Sequence, residues 1–388
     1  MAETGINIRV ADTVLGSPPN VNANTMMIFP TPRLTPGTVV TSPQDEVLSG
    51  LDPYYLGQIK RFFNPAVGID NIGIRLSLDS YNPAQVTDAD KFVRTIVNSV
   101  KRSVSESFSN RPRQVGVMFD ETTPWIENTL SKLNEVALAL DEAASALRSE
   151  SINVVFVLGI ADGGGVFLSS TEEWENLFQK KSPFVGVVAT GDADSYYSDV
   201  GSVLGYLASV SVGVSIGDAS LPPIKGEQVI ISANGDPVTD MSSEYLSLLS
   251  EAQVIFARTR PPRNSLWWND GATLNDPQNA LSTLEAARTL CSVVDDLRLF
   301  FTNYINTRVP VAANGDIDPT YKQVVLDNAR AKVITPYIES GDISDARIEL
   351  VAKNNNMVST RTWEVKVSIL PAPTLRWIDG FVFYVNSL

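Results

Sequence analysis

The sequence contains no histidine. That absence removes Ser-His-Asp and Cys-His catalytic arrangements, imidazole metal sites and the usual acid–base residue near neutral pH. Carboxylate chemistry is still available. The one cysteine, Cys291, cannot form an internal disulfide; it stands in an apolar helical pattern and reads as core filler, in keeping with assembly in a reducing cytoplasm. No run of about 18 apolar residues occurs, and the N-terminus has neither the basic start nor the apolar stretch of a signal peptide, so neither a membrane span nor secretion is expected. Basic residues are in short supply: 30 Lys and Arg stand against 44 Asp and Glu, a net charge of -14. Phosphate contacts need clustered Lys and Arg, so nucleic-acid binding is disfavoured. No internal repeat is evident.

What is present is ordinary globular material, 388 residues at 44% apolar content, enough for two or three packed units. Charge is distributed unevenly. From Tyr321 to Leu388 eight basic residues nearly balance seven acidic ones, so the acidity lies in the first 320 residues. An acidic body with a near-neutral end implies two surfaces with different tasks.

Near the start, Ile6, Ile8 and Val10 alternate with Asn7 and Arg9 as a short strand, followed by a Pro-, Asn- and Gly-rich tether from Gly16 to Thr25. Met26–Phe29 and Ile72–Leu78 read as strands, with a helical crossover between Gln44 and Phe63 broken at Pro53. A helix is expected over 89–108, where Phe92, Ile96, Val100 and Val104 recur at four-residue steps. The text then alternates: strand 114–119, helix 124–148 with Pro124 in its first turn, strand 153–160, helix near 171–179, strand 184–190, helix near 194–208. Short apolar strands alternating with helices predict a largely parallel sheet covered on both faces.

After Leu221 the pattern changes to turns, and a strand restarts at Gln253–Thr259. Pro277 precedes a long helix to about Ile305, a second helix spans 319–339 and stops at Gly341, and a strand covers 346–352. Two more strands close the sequence. In the first, Trp363, Val365, Val367 and Ile369 line one face against Glu364, Lys366 and Ser368, the alternation of a half-buried strand. Pro371 and Pro373 stop it. In the second, Phe381, Phe383 and Val385 face away from Val382 and Tyr384, so both sides need burial.

Three stretches invite a ligand reading. Gly159–Phe167 is glycine-rich after a strand, but lacks the Lys and Ser/Thr of a phosphate loop and the spacing of a dinucleotide fingerprint, and a tight turn accounts for it. Asp192 and Asp194 follow the next strand, where α/β enzymes keep ligands; helix N-capping accounts for them too. Arg258, Arg260 and Arg263 beside Trp267 and Trp268 could stack single-stranded nucleic acid, yet the acidic total favours buried tryptophans gripping a turn. An α/β enzyme holding a ligand or metal through Asp162, Asp192 or Asp194, and a monomeric binding module whose terminal strands fold back on its own sheet, are the alternatives to the reading that follows.

The order of these pieces resembles the contractile tail sheath proteins. The resemblance rests on "MMIFPTPRLTPGTVVTSPQDEVLSGL", on "VSVGVSIGDASL", on "QVIFARTRPPRNSLWWNDGATL" followed by "STLEAARTLCSVVDDL", and on "VLDNARAKVITPYIESGDISDARIEL" with its proline-punctuated end. It implies a mixed α/β chain with four parts: an N-terminal donated strand and linker (1–25), a largely parallel α/β body (26–250), a C-terminal α+β sheath domain (251–370), and a linker with a second donated strand (371–388). It further implies strand exchange between subunits, marking Ile6, Ile8, Val10, Trp363, Val365, Val367, Ile369, Phe381, Phe383 and Val385 as exchange positions. The C-terminal domain would face an inner tube, with Lys322, Arg330 and Lys332 as candidate tube contacts. The implied partners are further copies of the chain, an inner tail tube protein, and baseplate and tail terminator proteins, in a virion tail or injector assembled in a bacterial cytoplasm; no cofactor, metal, nucleic acid or membrane insertion is expected.

Overall fold

The structure is a computed structural model that describes residues 24–31, 34–63, 75–106, 111–118, 129–159, 181–193, 198–230, 236–260, 263–352 and 357–373. Its centre is a six-stranded sheet built from β1 (Asn24–Phe29), β2 (Thr38–Val40), β3 (Arg75–Ser80), β4 (Gln114–Val117) and β5 (Val155–Gly159), then, beyond the two-residue β6 (Lys181–Ser182), β7 (Val185–Val188). The spatial order is β2-β3-β1-β4-β5-β7. The five strands from β3 to β7 run parallel and β2 is antiparallel on one edge. The other edge is extended by a parallel bridge from Val188 to Ile255. The strands are short apolar runs buried throughout β4, β5 and β7, as a sheet covered on both faces requires.

Two helix layers supply the cover. Helix α1 (Pro53–Phe63) packs against α4 (Val200–Ser209), and α2 (Ala89–Glu106) against α3 (Thr129–Ser149). Phe92, Ile96 and Val100, whose spacing predicts the helix, are fully buried. The sequence expectation places the start of α3 at Pro124, a position outside the described residues, as is the helix expected near 171–179. Against α1, α4 presents Gly201 and Gly205 on one face, where added Cβ atoms would overlap the backbone carbonyls of Gln58 and Phe62. Two helices can approach this closely only where the contact surface is bare backbone.

The turn-rich middle contributes β8 (Thr190–Asp192) paired with β9 (Gln228–Ile230), α5 (Ser243–Glu251), the hairpin of β10 (Ala257–Arg260) and β11 (Arg263–Trp268), and β12 (Leu274–Asn275) paired with β6. Trp268 is fully buried, and Trp267 donates its Nε1–H to the Leu221 carbonyl at 3.0 Å. The tryptophans do hold a turn rather than present a stacking platform.

Helix α6 (Leu284–Thr302) starts later than the Pro277 signal suggests. Asp276 and Asn279 accept hydrogen bonds from the backbone of Gln278 and Leu281, local turns that compete with helix, and Thr283 caps the true start through Ala286 N. This helix carries the chain from one core to another: Leu284, Ala287 and Cys291 belong to the core of the sheet, whereas Val293, Leu297, Phe300 and Phe301 belong to a second, smaller core. The second core is completed by α7 (Pro319–Ala329), a π turn (Arg330–Ile334), α8 (Thr335–Glu339), β13 (Ile343–Ala352), α9 (Met357–Thr360) and β14 (Trp363–Pro371). Pro336 explains the π turn. It lacks an N–H and crowds the preceding carbonyls, and Thr335 N reaches back to the Arg330 carbonyl. The whole is the mixed α/β architecture expected, a parallel body followed by an α+β unit.

Candidate assembly surface

Strands β13 and β14 pair antiparallel as a sheet of two. Ala346, Ile348, Leu350 and Ala352 lie opposite Ile369, Val367, Val365 and Trp363 on the inner face; Arg347, Glu349 and Val351 lie opposite Ser368, Lys366 and Glu364 on the outer. Cross-strand apolar pairs of this kind each contribute about 0.2–1 kcal/mol, and the alternation fixes the register because a one-residue slip would turn the apolar set to solvent. Trp363 anchors the end of β14 among Phe301, Tyr304 and Tyr321, with ring centroids 6.5, 5.7 and 6.4 Å away. Thus Trp363, Val365, Val367 and Ile369 face the chain's own second core and one long edge of β14 is paired within the chain. No other strand among the described residues covers the outer edge of β13 or of β14. Edges that no further strand covers are sites for strand addition.

The hairpin is held to the body. Asp342, just before β13, accepts hydrogen bonds from Ser211 Oγ (2.8 Å), Gly213 N (2.9 Å) and Ser340 Oγ (2.7 Å). Arg288 of α6, wholly buried, donates to the Leu207 carbonyl at 2.6 Å; burial pushes its pKa down to about 10 against the pull of Glu285 and Asp342. Among the candidate tube contacts, Arg330 is engaged with Asp345 Oδ1 at 2.9 Å and with the Ala346 carbonyl at 3.0 Å, tying the π turn to β13. Lys332 is exposed on that turn, and Lys322 is half-buried one helical stretch earlier. Ile6, Ile8, Val10, Phe381, Phe383 and Val385 lie outside the described residues.

Among the described residues, the place where an α/β enzyme would bind its ligand is occupied by tyrosine side chains. The strand order reverses between β1 and β4, and ligands of such sheets sit beyond the carboxyl ends of the strands there. In this crevice Tyr81 donates to the Met118 carbonyl at 3.0 Å, Tyr55 to the Pro30 carbonyl at 3.4 Å, and Tyr54 lies 3.7 Å from Met118 Sδ. The expected capping role of Asp192 needs correction. Helix α4 begins at Val200 and is capped by Asp199, which accepts from Ser202 N; Asp192 pairs with Arg61 at 3.0 Å, and Asp194, like Asp162, lies outside the described residues. Asp199 is buried without exposure, forms an ion pair with Arg61 whose Nε lies 2.9 Å away, and accepts from Gln228 Nε2 at 3.2 Å. Burial raises its pKa, with Arg61 pulling the other way; burial works against the Arg61 charge, yet Asp199 and Asp192 outweigh it. These acids are consumed in joining α1 to α4. No group of His, Cys, Asp and Glu suited to a metal ion occurs among the described residues, and none of the described helices is long and apolar enough to cross a membrane.

Compared by sequence, the chain matches no protein-family model and no curated protein. Compared by structure, it is similar over 100% of its length to a chain of the sheath complex of the PVC extracellular contractile injection system in the contracted state, with TM-score 0.62, 12% identity and 98% of that chain covered. A chain of the anti-feeding prophage helical sheath in the contracted state gives TM-score 0.60 at 12% identity, covering 100% of this chain and 98% of that one. A chain of the anti-feeding prophage baseplate gives 0.58 at 11% identity with both chains fully covered. At such identity the likeness defines a fold, and the fold is the one found in contractile sheath assemblies.

Proposed function

We propose that the chain is a structural subunit of a contractile sheath, polymerising around an inner tube and contracting to drive that tube through a cell envelope. The observation that carries this reading is the end-to-end fold likeness to chains of two contracted sheaths. The two open edges of the β13–β14 sheet support it, since Ile6–Val10 and Phe381–Val385 of neighbouring copies would supply the strands those edges lack. A subunit that donates at one surface and accepts at another makes head-to-tail contacts, which propagate as helices where rotation does not close. Two lateral packings sharing the same strand links would then let a loosely packed state release free energy on contraction. The tyrosines bonded within that crevice support a non-enzymatic role. The assemblies named above suggest an injector of that kind as the setting, with a phage tail and genome ejection as the alternative, and baseplate, terminator and tube proteins as further partners. Lys332 and Lys322 are the proposed tube contacts; Arg330 serves the hairpin.

The test is negative-stain imaging and size-exclusion chromatography of the purified chain beside a variant lacking Phe381–Leu388 and the variant Phe383→Asp. Tubes or rings are expected from the parent and folded, unassembled protein from both variants, because an unpaired charge at a strand interface costs several kcal/mol. A parent that stays monomeric under every condition, or variants that polymerise as well as the parent, would overturn the reading.

A further inference from the structure

At the N-terminal edge of the parallel sheet, where α6 passes between the two cores, arginines gather about one buried carboxylate. Asp295 pairs with Arg113 Nη1 through Oδ2 and accepts from Asn153 Nδ2 at Oδ1. Arg111 Nη2 and Arg298 Nη1 each stand 3.6 Å from that same Oδ1, near enough for charge and too far for a good hydrogen bond. Arg298 Nη2 reaches the Arg148 carbonyl at 3.5 Å and Arg111 Nη2 donates to the Ser151 carbonyl, while the Arg148 guanidinium is turned to Ser145 Oγ at 2.8 Å and lies 3.5 Å over the Phe184 ring. The nearby acids are turned elsewhere: Asp296 accepts from the Tyr337 hydroxyl at 2.7 Å and Asp141 from Phe184 N at 3.3 Å. Three N–H groups, Arg111 Nε, Arg148 Nη1 and Arg298 Nη1, are shielded from solvent with no acceptor among the described residues.

Such donors are costly to leave without an acceptor, and guanidinium groups this close repel one another. The strain registers on Arg111, which burial and then the Arg298 charge push down to about 10, and on Arg113, lowered by burial and then by Arg111. One shared carboxylate does not answer three guanidinium groups. A ligand that did so would carry negative charge and several acceptor oxygens set for the planar guanidinium fork. Arg298, with its side chain 27% exposed, leaves the cluster open on one side.

We propose that Arg111 and Arg298 form a binding site for a small tetrahedral oxyanion of the phosphate or sulfate class, seated beside the Arg113–Asp295 pair. The site joins the start of β4 to α6, and Arg298 also holds the Arg148 carbonyl at the end of α3, so an occupying ion ties the body to the helix that enters the second core. The inference is independent of polymerisation.

Equilibrium dialysis of the full chain against radiolabelled inorganic phosphate tests it, together with thermal melts in phosphate, sulfate and chloride at equal ionic strength. Saturable binding of phosphate is expected, displaced by sulfate and not by chloride. The melting temperature should rise by about 3 °C at phosphate roughly a hundredfold above its dissociation constant. Arg298→Gln should weaken binding about tenfold or more. If that variant folds poorly, Arg298→Lys keeps the charge, loses the fork and should weaken binding as well. No saturable binding to the parent, equal displacement by chloride, or undiminished affinity in the Arg298 variants would overturn the proposal.

Discussion

Gly201 of α4 sits against the peptide carbonyl of Gln58 in α1, so closely that a methyl group at Gly201 would overlap that oxygen. The Gln58 side chain reinforces the contact: its Oε1 accepts from Gly201 N at 2.7 Å and its Nε2 donates to the Ser198 carbonyl at 3.0 Å. Gly201→Ala must therefore push two helix backbones apart, and we expect a loss of about 3 kcal/mol or more. Gly57→Ala, in α1 itself, is the control. Its added carbon would meet only the Arg61 side-chain tip at 3.7 Å, and a helix-interior Gly-to-Ala change there should be neutral or gain up to about 1 kcal/mol. Urea unfolding midpoints of the two variants check the contrast; equal midpoints would refute it.

Asp342 is the joint between the hairpin and the body, and its carboxylate is buried while accepting from Ser211 Oγ, Gly213 N and Ser340 Oγ. Asp342→Ala strands these donors and should cost about 2–4 kcal/mol. Gly213→Ala attacks the same joint from the other side, because its Cβ would stand 2.6 Å from Asp342 Cα. The two changes share one contact, so the double variant should lose less than the summed single losses. Thermal melts of the three proteins measure this, and strict additivity would show that the two residues act separately.

How much of this could be read from the sequence depends on the kind of signal. The 3.6-residue recurrence of Phe92, Ile96 and Val100 and the alternation of Trp363, Val365, Val367 and Ile369 report burial directly, and the corresponding helix and strand appear where expected. The late start of α6 was hidden because Asp276 and Asn279 settle a turn that Pro277 alone does not announce. Capping was misplaced for a related reason: Asp192, Asp194 and Asp199 all precede an apolar helical run, and only the backbone shows that Asp199 owns the N-terminus while Asp192 answers Arg61. Arg111, Arg113, Asn153 and Asp295 are scattered over 185 residues, so their meeting is a product of topology. The Gly201–Gly205 pair is a four-residue glycine spacing in the sequence, which places both on one face of a helix.

Cys291 offers a chemical test of the buried core. The thiol is fully enclosed, and burial pushes its pKa up to about 11 even with Arg113, Arg148, Arg111 and Arg298 pulling it down. At pH 8 only about one thiol in a thousand would be ionised, and access is closed as well. The native protein should therefore react with a disulfide reagent at least roughly a hundredfold more slowly than the urea-unfolded chain. Fast reaction in native buffer would place Cys291 at an accessible surface, contrary to the packing of α6.

The register of the terminal hairpin gives the sharpest prediction, because neighbouring residues of β14 should respond in opposite ways. Val367 lies opposite Ile348 on the face that packs into the second core, and Ser368 lies opposite Arg347 on the exposed face. A carboxylate at 367 would be forced among apolar groups with no partner, so Val367→Asp should cost about 3 kcal/mol or more. Ser368→Asp instead gains a cross-strand cation in Arg347 and stays in water, which should leave stability within about 0.5 kcal/mol of the parent. Both are measured on the variant lacking Phe381–Leu388, where assembly does not mask unfolding. If Ser368→Asp were the damaging change and Val367→Asp the silent one, the strand would be shifted by one residue, the exposed face would be the apolar one, and the open edges assigned here to incoming strands would carry the wrong side chains for that pairing.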